Sequence, residues 1–323
     1  MGFWATIQIK IMSYNKTKIV FLSGALGDTI GWMGQVERYQ KHTGETINVF
    51  CNHRDFFKAQ NISYYHRDHP LEKEEYNKSF YVGFYDYDRT YHGSLPDDCS
   101  NEITPIMQNG LIGMASDILG FDKIEEVKPS FNLDESLTPE LKELKNQGIK
   151  KFVTLATLST LQQKFWNYKG GWREIISYLK SKGVAVVSVD LDVQFGSGVA
   201  KHGFPAFSSI PLRSIDMTGL SLGRVASLIN GGLFHMGLSS GISWLAWAVN
   251  KPVVLICGHV NERYDFSNPY RIQNKSVCHA CWDRHKTTTE ALGDWYWCPD
   301  EKDFECTREI TPDMVIEKID QLV

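Results

Sequence analysis

Apolar and polar positions follow two different rhythms along the first half of the chain. Short apolar runs at residues 18–23 (KIVFLS), 46–51 (TINVFC) and 80–85 predict strands. Residues 28–42 and 103–119, by contrast, repeat their apolar positions every three to four residues and predict helices. Because strands that alternate with helices form parallel sheets, this half predicts an α/β domain.

The second half of the chain repeats this alternation. Its apolar, β-branched runs predict strands at residues 151–155, 184–189, 232–236 and 252–256. Its amphipathic stretches predict helices at residues 172–182, 221–229 and 242–249. Two such halves predict two Rossmann-like domains that face each other across a cleft, with ligands at the carboxyl ends of the strands.

A polar stretch separates the two halves and sets the predicted domain limits. Residues 132–148 are charged and contain a helix-start signal from Ser136 to Glu140. We therefore predict a linker at residues 136–150. The other predicted units are an N-terminal extension at residues 1–17, a first domain at 18–135 and a second domain at 151–323.

Residues 259–310 break the alternation, because they are aromatic and polar with little periodicity. A final amphipathic helix is predicted after them, at residues 311–323. The aperiodic segment contains four of the seven cysteines, arranged as Cys278-x2-Cys281-x16-Cys298-x7-Cys306. A segment of this kind needs another means of holding its shape, and a metal ion bound by these cysteines provides one.

The spacing of these cysteines favours a closed, structural four-thiolate metal site. The first pair forms a knuckle that presents two thiolates to one ion. Zinc and iron both suit four sulfur ligands, and the ligands alone do not separate them. Disulfides and accidental clustering are the alternatives. The other cysteines, Cys51, Cys99 and Cys257, stand apart, and Cys51 and Cys257 are predicted to be buried and inert at strand ends.

Composition excludes several classes of protein. With 42% hydrophobic residues among 323, the chain has too much apolar surface to remain disordered. No apolar run approaches the roughly 20 residues of a membrane-spanning helix, so no membrane span is predicted. The formal net charge of -4 offers no basic face for phosphates, and no nucleic-acid partner is expected. The amino terminus lacks a secretory signal, which predicts a cytoplasmic protein.

The loop after the first strand is the first candidate for chemistry. It reads Gly24-Ala25-Leu26-Gly27-Asp28-Thr29 and matches neither a Rossmann glycine fingerprint nor a P-loop. Its glycines let a ligand approach the backbone, and Asp28 places a carboxylate at the carboxyl edge of the strand. The alternative is that Asp28 is the N-cap of the following helix.

The second candidate again lies between a strand and a helix. Gly237-Leu238-Ser239-Ser240-Gly241 combines two glycines, two hydroxyls and a helix N-terminus, a combination that suits an anion such as a diphosphate. An ordinary serine cap beside a glycine turn is the alternative.

Lys164, in Gln163-Lys164-Phe165-Trp166, follows the first strand of the second domain. A lysine at this edge can neutralise a departing diphosphate, although most single lysines are solvated surface residues.

Two Asp-x-Asp pairs are further candidates for ligand binding. Asp86 with Asp88, and Asp190 with Asp192, can hold a divalent cation against a diphosphate, and Asp190 can instead bind a ribose. Solvated loop charges are the default for both pairs, and neither is assigned a role.

Four of these motifs together resemble the bacterial autotransporter heptosyltransferases. They are SGALGDTIGWM, Lys164 followed by Phe-Trp, HMGLSSGISWLAWAVNKPVVLI and the trailing C-x2-C…C…C. More distantly, the chain is similar to the lipopolysaccharide heptosyltransferases of glycosyltransferase family 9. The resemblance runs from about residue 18 to the C-terminus. It implies a GT-B architecture, an ADP-heptose donor and transfer with inversion that needs no catalytic metal.

The resemblance also implies roles for individual residues. Asp28 matches the proposed catalytic base, Lys164 the lysine that contacts the donor phosphates, and residues 237–241 the loop that receives the diphosphate. Cys278, Cys281, Cys298 and Cys306 match iron-binding cysteines. Members of this family carry an additional N-terminal domain for acceptor binding and assembly, whereas only about 17 residues precede the first strand here. We therefore expect donor and fold to carry over better than acceptor and assembly.

The predicted function is transfer of heptose from ADP-heptose to a hydroxyl acceptor, foremost a protein serine, by an enzyme that can form a homo-oligomer. One alternative keeps the fold but uses another nucleotide sugar, or a lipopolysaccharide or other glycan acceptor. A second alternative is a non-catalytic interaction scaffold that is stabilised by metal.

Overall fold

The computed structural model describes residues 16–68, 76, 78–83, 109–131, 133, 138–159, 162–199, 205–283 and 298–323. Several features named above lie outside these residues: the Asp86 and Asp88 pair, Cys99, nearly all of the N-terminal extension and residues 284–297 of the cysteine segment.

The first half of the chain forms a parallel sheet. Its strands are β1 (Lys16–Phe21), β2 (Thr46–Phe50), β3 (Ile62–Tyr65) and β4 (Lys78–Val82), in the order β3-β2-β1-β4. Helix α1 (Leu26–Thr43) follows β1 and ends at Gly44, whose φ of 68° suits a residue without a side chain. A second helix, α2 (Gly110–Ile118), lies within the helix predicted at residues 103–119, of which residues 103–108 lie outside the described residues. Strand β3 was not predicted.

The predicted linker contains a helix rather than only irregular chain. Helix α3 (Pro139–Asn146) begins after Thr138, whose hydroxyl accepts a hydrogen bond from the Leu141 N–H, and proline occupies its first turn. The helix-start signal is thus confirmed. Glu140 on this helix forms an ion pair with Arg224 of the second half, which ties the connection to that half. The domain limits themselves stay predictions.

The second half forms a larger parallel sheet and a separate hairpin. The sheet strands are β5 (Phe152–Ala156), β6 (Ala185–Ser188), β9 (Ile215–Asp216), β10 (His235–Leu238), β11 (Val253–Ile256) and β12 (Arg271–Ile272), in the order β12-β11-β10-β5-β6-β9. The hairpin pairs β7 (Gln194–Val199) with β8 (Pro205–Ser209). The helices are α4 (Gly171–Ser181), α5 (Leu222–Gly231), α6 (Gly241–Ala248), α7 (Glu305–Arg308) and α8 (Pro312–Ile319).

One strand begins later in the sequence than predicted. The strand expected at residues 232–236 begins at His235, because Gly231 ends helix α5 and Gly232 is the residue that caps it. The α/β class with Rossmann-like parallel sheets is confirmed. In the part of the chain that the structure describes, no helix combines the length and apolar character needed to cross a bilayer.

The two halves contact each other through α1 and α6. A Cβ atom on Gly27 would lie 2.9 Å from the ring of Trp244, and one on Gly31 would lie 3.2 Å from it. These glycines are four residues apart and so share one face of α1, which leaves room for the indole. Gly241, at the start of α6, is equally close to Leu26, where an added Cβ would lie 2.6 Å from the leucine Cβ. The contact brings the loops after β1 and β10 together.

Candidate active site

A cleft of about 400 Å³ lies where the carboxyl ends of the two sheets meet. Most of the residues predicted from the sequence line it, namely Gly24, Ala25, Leu26, Gly27, Asp28, Lys164, Ser239, Ser240 and Gly241. Three predicted residues do not. Thr29 is buried in α1, where its hydroxyl donates to the Ala25 carbonyl at 2.9 Å, and Gly237 and Leu238 are buried within β10.

Asp28 lies in the first turn of α1 and faces the cleft. The N-cap of α1 is Ala25, which makes no side-chain cap, so the alternative role of Asp28 as the N-cap is not the one observed. Burial raises the pKa of Asp28 to about 6, against the opposing effects of a hydrogen bond from Ser23 and the positive charge of Lys164. At neutral pH this carboxylate is ionised and is a stronger base than an exposed aspartate.

Lys164 ends a short 3₁₀ turn after β5 and faces the same cleft. The two residues that follow it are buried, and the Trp166 indole N–H donates to the Ile310 carbonyl at 2.8 Å. This anchor explains why Phe and Trp accompany the lysine. The Lys164 ammonium is half-buried and has no ion-pair partner among the residues placed by the structure. Its charge acts on Asp28 and on His259 across the cleft.

The loop after β10 presents hydrogen-bond donors to the cleft. Ser240 is the N-cap of α6 but makes no side-chain cap, and its buried hydroxyl has no partner within the described ranges. The first backbone N–H groups of an α-helix have no partner inside the helix. A hydroxyl and a helix N-terminus at one position are suited to binding a phosphate oxygen.

A buried polar network connects this loop to the segment that follows β11. The Ser239 hydroxyl donates to Asp265 Oδ1 at 2.7 Å, and Asp265 forms an ion pair with Arg271. Arg271 also donates to the Val260 carbonyl at 2.9 Å and to Cys257 Sγ at 3.0 Å. Cys257 is buried, as predicted. These hydrogen bonds lie in a largely buried region and restrain the loop, while Arg271 Nε has no partner among the described residues.

Asp190 has a structural role at the cleft rather than being a solvated charge. Its buried carboxylate accepts hydrogen bonds from the backbone N–H groups of Thr157 at 2.9 Å and Leu158 at 3.0 Å. Burial raises its pKa to about 6, against the effect of these hydrogen bonds. The expectation of a solvated loop charge is wrong for Asp190, whereas Asp192 is exposed as expected.

Two histidines that the sequence did not single out also line the cleft. His53 places Nε2 at 3.0 Å from the Gly24 carbonyl. His259 is 1% exposed, stacks on Trp282 with 5.2 Å between ring centres, and has a pKa lowered to about 3 by burial and by Lys164. His259 lies in an aperiodic segment, so no pattern in the sequence marked it.

The four C-terminal cysteines lie within electrostatic range of one another. Burial raises the pKa of the Cys306 thiol, and charges on Cys281, Cys298 and Cys278 raise it further. The Lys302 backbone N–H donates to Cys298 Sγ at 3.4 Å. Across the described ranges, no three His, Cys, Asp or Glu side chains form a group that could hold a metal ion. The four thiols are the kind of donor that iron and zinc prefer, and the described residues around them do not form a coordination geometry.

A carboxylate and a helix N-terminus that face one cleft between two Rossmann-like sheets are compatible with a glycosyltransferase of the nucleotide-sugar class. The family model for glycosyltransferase family 9 (heptosyltransferase) matches residues 78–294. The chain therefore belongs to glycosyltransferase family 9, the heptosyltransferases.

Named relatives lie among the autotransporter heptosyltransferases. The chain is 33% identical over 302 residues to autotransporter heptosyltransferase TibC of Escherichia coli O78:H11, a match that covers 91% of this chain and 68% of TibC. It is 32% identical over 304 residues to BAHTCr of Citrobacter rodentium, covering 91% of this chain and 67% of that protein. The crystal structure of the iron-containing dodecameric TibC superposes with a TM-score of 0.78 at 31% identity and covers 95% of this chain and 75% of that one.

A more distant relative differs in activity. BimC of Burkholderia thailandensis, named an inactive autotransporter heptosyltransferase, is 26% identical over 318 residues, covering 92% of this chain and 66% of that protein.

Proposed function

We propose that this protein is an inverting GT-B glycosyltransferase that transfers heptose from ADP-heptose to a serine hydroxyl of an acceptor protein. The observation that carries the proposal is that Asp28 of the first sheet faces Lys164 and the Ser239–Gly241 loop of the second sheet across one cleft. The donor is supported by the TibC structure in complex with ADP-D-β-D-heptose, which this chain matches with a TM-score of 0.77 at 31% identity.

The chemistry follows from the placement of these groups. The Asp28 carboxylate accepts the proton of the acceptor hydroxyl while that oxygen attacks the anomeric carbon of the sugar. The bond from the anomeric carbon to the phosphate oxygen breaks at the opposite face, and its electron pair leaves with ADP. Lys164, the Ser240 hydroxyl and the N–H groups at the start of α6 stabilise the charge that develops on the diphosphate. Because these groups supply the positive potential, no catalytic metal is required.

The cysteine segment is proposed to hold one structural iron per chain through Cys278, Cys281, Cys298 and Cys306. The related TibC is described as iron-containing. When bound, the ion supplies a crosslink within a segment that has little regular secondary structure. Metal analysis of the purified protein tests this proposal, with about one iron per chain and visible charge-transfer absorption expected. A colourless protein with stoichiometric zinc would contradict the iron assignment but would still support a metal site at these cysteines.

The proposal extends to the acceptor, the assembly and the location of the protein. An autotransporter-type protein acceptor is suggested by the names of the relatives, and a homo-oligomer by the dodecameric TibC. A cytoplasmic location agrees with a donor that is a soluble nucleotide sugar. Size measurement by light scattering tests the assembly, and a monomer at micromolar concentration would contradict it.

The decisive experiment for the proposed function is mass spectrometry of candidate acceptors after incubation with ADP-heptose. A heptose adduct on serine supports the proposal. An adduct on a glycan or lipid would show that the acceptor is not a protein. A panel of nucleotide sugars tests the donor by thermal stabilisation, since a ligand at 100 times its dissociation constant adds about 2.7 kcal/mol to stability. Stabilisation by a different nucleotide sugar alone would favour the alternative donor.

A non-catalytic scaffold is kept as a second candidate, because the related BimC is named inactive. This candidate predicts that the protein neither consumes ADP-heptose nor releases ADP with any acceptor. Release of ADP that depends on acceptor would exclude it.

A further inference from the structure

His259 lines the cleft and carries two buried hydrogen-bonding atoms that have no partner among the described residues. The residue is 1% exposed, and the two atoms are Nδ1 and Nε2 of its imidazole ring. Leaving buried polar atoms without partners costs free energy, and native proteins satisfy nearly all of them. A ligand in the cleft would supply the missing partners.

The chemistry of the ring limits what that partner can be. A neutral imidazole carries one N–H donor and one acceptor nitrogen. A phosphate oxygen satisfies only the donor, whereas hydroxyl groups donate and accept and can satisfy both nitrogens. The pair of atoms on His259 therefore suits the hydroxyl groups of a sugar better than a diphosphate.

The order of the strands places His259 at one end of the donor. At the carboxyl edge of the second sheet, His259 follows β11, the Ser239–Gly241 loop follows β10, Lys164 follows β5 and Asp190 follows β6. A nucleotide sugar with its diphosphate over β10 and β5 extends towards β6 at one end and β11 at the other. Asp190 already accepts two backbone hydrogen bonds, whereas the exposed Asp192, two residues later, also lines the cleft. Because acidic residues that follow a strand are common ribose partners, Asp192 assigns the nucleoside to the β6 side and the transferred sugar to the side of His259.

The cysteine segment holds the imidazole in position. The Ala280 N–H donates to the Gly258 carbonyl at 2.8 Å, and the Trp282 N–H donates to the His259 carbonyl at 3.2 Å. The Trp282 ring also packs on the imidazole and itself lines the cleft. The ring of His259 is thus fixed on its backbone side and on one face before any ligand arrives.

We propose that His259 binds hydroxyl groups of the sugar that is transferred and so contributes to recognition of the nucleotide sugar over the free nucleotide. This inference rests on the proposed function, because it takes ADP-heptose as the donor. It assigns His259 a binding role rather than a part in proton transfer.

Calorimetric titration of the full-length protein with ADP and with ADP-heptose tests the proposal. His259→Phe keeps an aromatic ring against Trp282 but removes both nitrogens. We expect it to weaken ADP-heptose binding about tenfold, the effect of losing one or two hydrogen bonds, and to leave ADP binding unchanged. His259→Gln, which retains a donor and an acceptor, should recover part of the loss. His42→Phe, at an exposed position near the end of α1, is the matched control.

The possible outcomes separate the two proposals. Equal losses for ADP and ADP-heptose, or no loss for either, would overturn the sugar-binding role of His259. If His259→Phe does not fold, the same comparison is made with His259→Gln, for which a smaller but still sugar-dependent loss is expected. Wild-type protein that binds neither ligand would instead overturn the proposed donor, and the comparison would then be repeated with the nucleotide sugar that does bind and its own nucleotide.

Discussion

The two walls of the cleft are built in different ways. The wall from the second sheet carries Lys164, a helix N-terminus and a buried network in which Ser239, Asp265 and Arg271 are bonded in sequence. The wall from the first sheet offers Asp28 on a glycine-containing loop, with His53 beside it. The first arrangement is suited to holding a charged ligand in one pose, and the second to placing one base.

We therefore expect the two walls to contribute to different steps, one to donor binding and the other to proton transfer. In the proposed function, the wall that carries Lys164 and the helix N-terminus provides donor affinity and stabilises the leaving group. The Asp28 carboxylate accepts the proton and is expected to add little to donor binding. Substitutions on the two walls should therefore affect different measured constants.

The largest effect is expected from Asp28→Ala. Loss of a positioned base lowers the rate by about 10²–10⁴-fold, so transfer measured by ADP release should be nearly abolished. Donor affinity, measured by calorimetry, should remain close to wild type because the second wall is intact. Asp122→Ala, at an exposed position, is the control. Near wild-type turnover in Asp28→Ala would remove Asp28 from the role of base.

Asp265→Asn tests the network beneath the diphosphate loop. The substitution leaves Arg271 buried opposite a neutral group, and breaking a buried ion pair costs about 3–5 kcal/mol. We expect a lower free energy of unfolding in chemical denaturation, together with weaker ADP binding, because one amide oxygen cannot accept from both Ser239 and Arg271 as the two carboxylate oxygens do. An unchanged unfolding midpoint would show that the network does not stabilise this wall.

Much of this architecture was predictable because regular structure leaves a periodic pattern. Most of the parallel strands, α1 and the loops that carry Asp28 and Ser239 follow from runs of apolar residues and the turn residues that bound them. Strand β3 (ISYY) was missed because it lacks the apolar run of the predicted strands, and β12 was missed because two residues are too short to establish a period. His259, Trp282 and Asp265 were missed for a different reason. They enter the cleft through tertiary contacts of an aperiodic segment, and no local spacing encodes those contacts.

Lys164→Ala tests the cationic part of the second wall. Removing a group that stabilises the leaving diphosphate is expected to cost about 2–4 kcal/mol in kcat/KM. Part of this loss should appear as weaker ADP binding, in contrast to Asp28→Ala. Lys169→Ala, an exposed lysine five residues later, should behave like wild type. Unchanged kinetics for Lys164→Ala would show that Lys164 does not stabilise the diphosphate.

The smallest expected effect, a shift in pH dependence, connects the two walls. Burial raises the pKa of Asp28 to about 6, and the charge of Lys164 opposes that rise. Protonation removes the base, so kcat/KM should fall as the pH decreases below about 6, close to tenfold per pH unit.

Removing Lys164 takes away the charge that favours the ionised carboxylate. The acidic limb of the residual activity in Lys164→Ala should therefore move to higher pH. Because burial also raises the pKa of Asp190 to about 6, Asp190→Asn is needed as a comparison and should keep the wild-type limb if Asp28 is the base. If the acidic limb stays in place in Lys164→Ala but disappears in Asp190→Asn, the group that titrates is Asp190 and not Asp28. The base would then lie on the second wall, which contradicts the proposed separation of roles between the two walls.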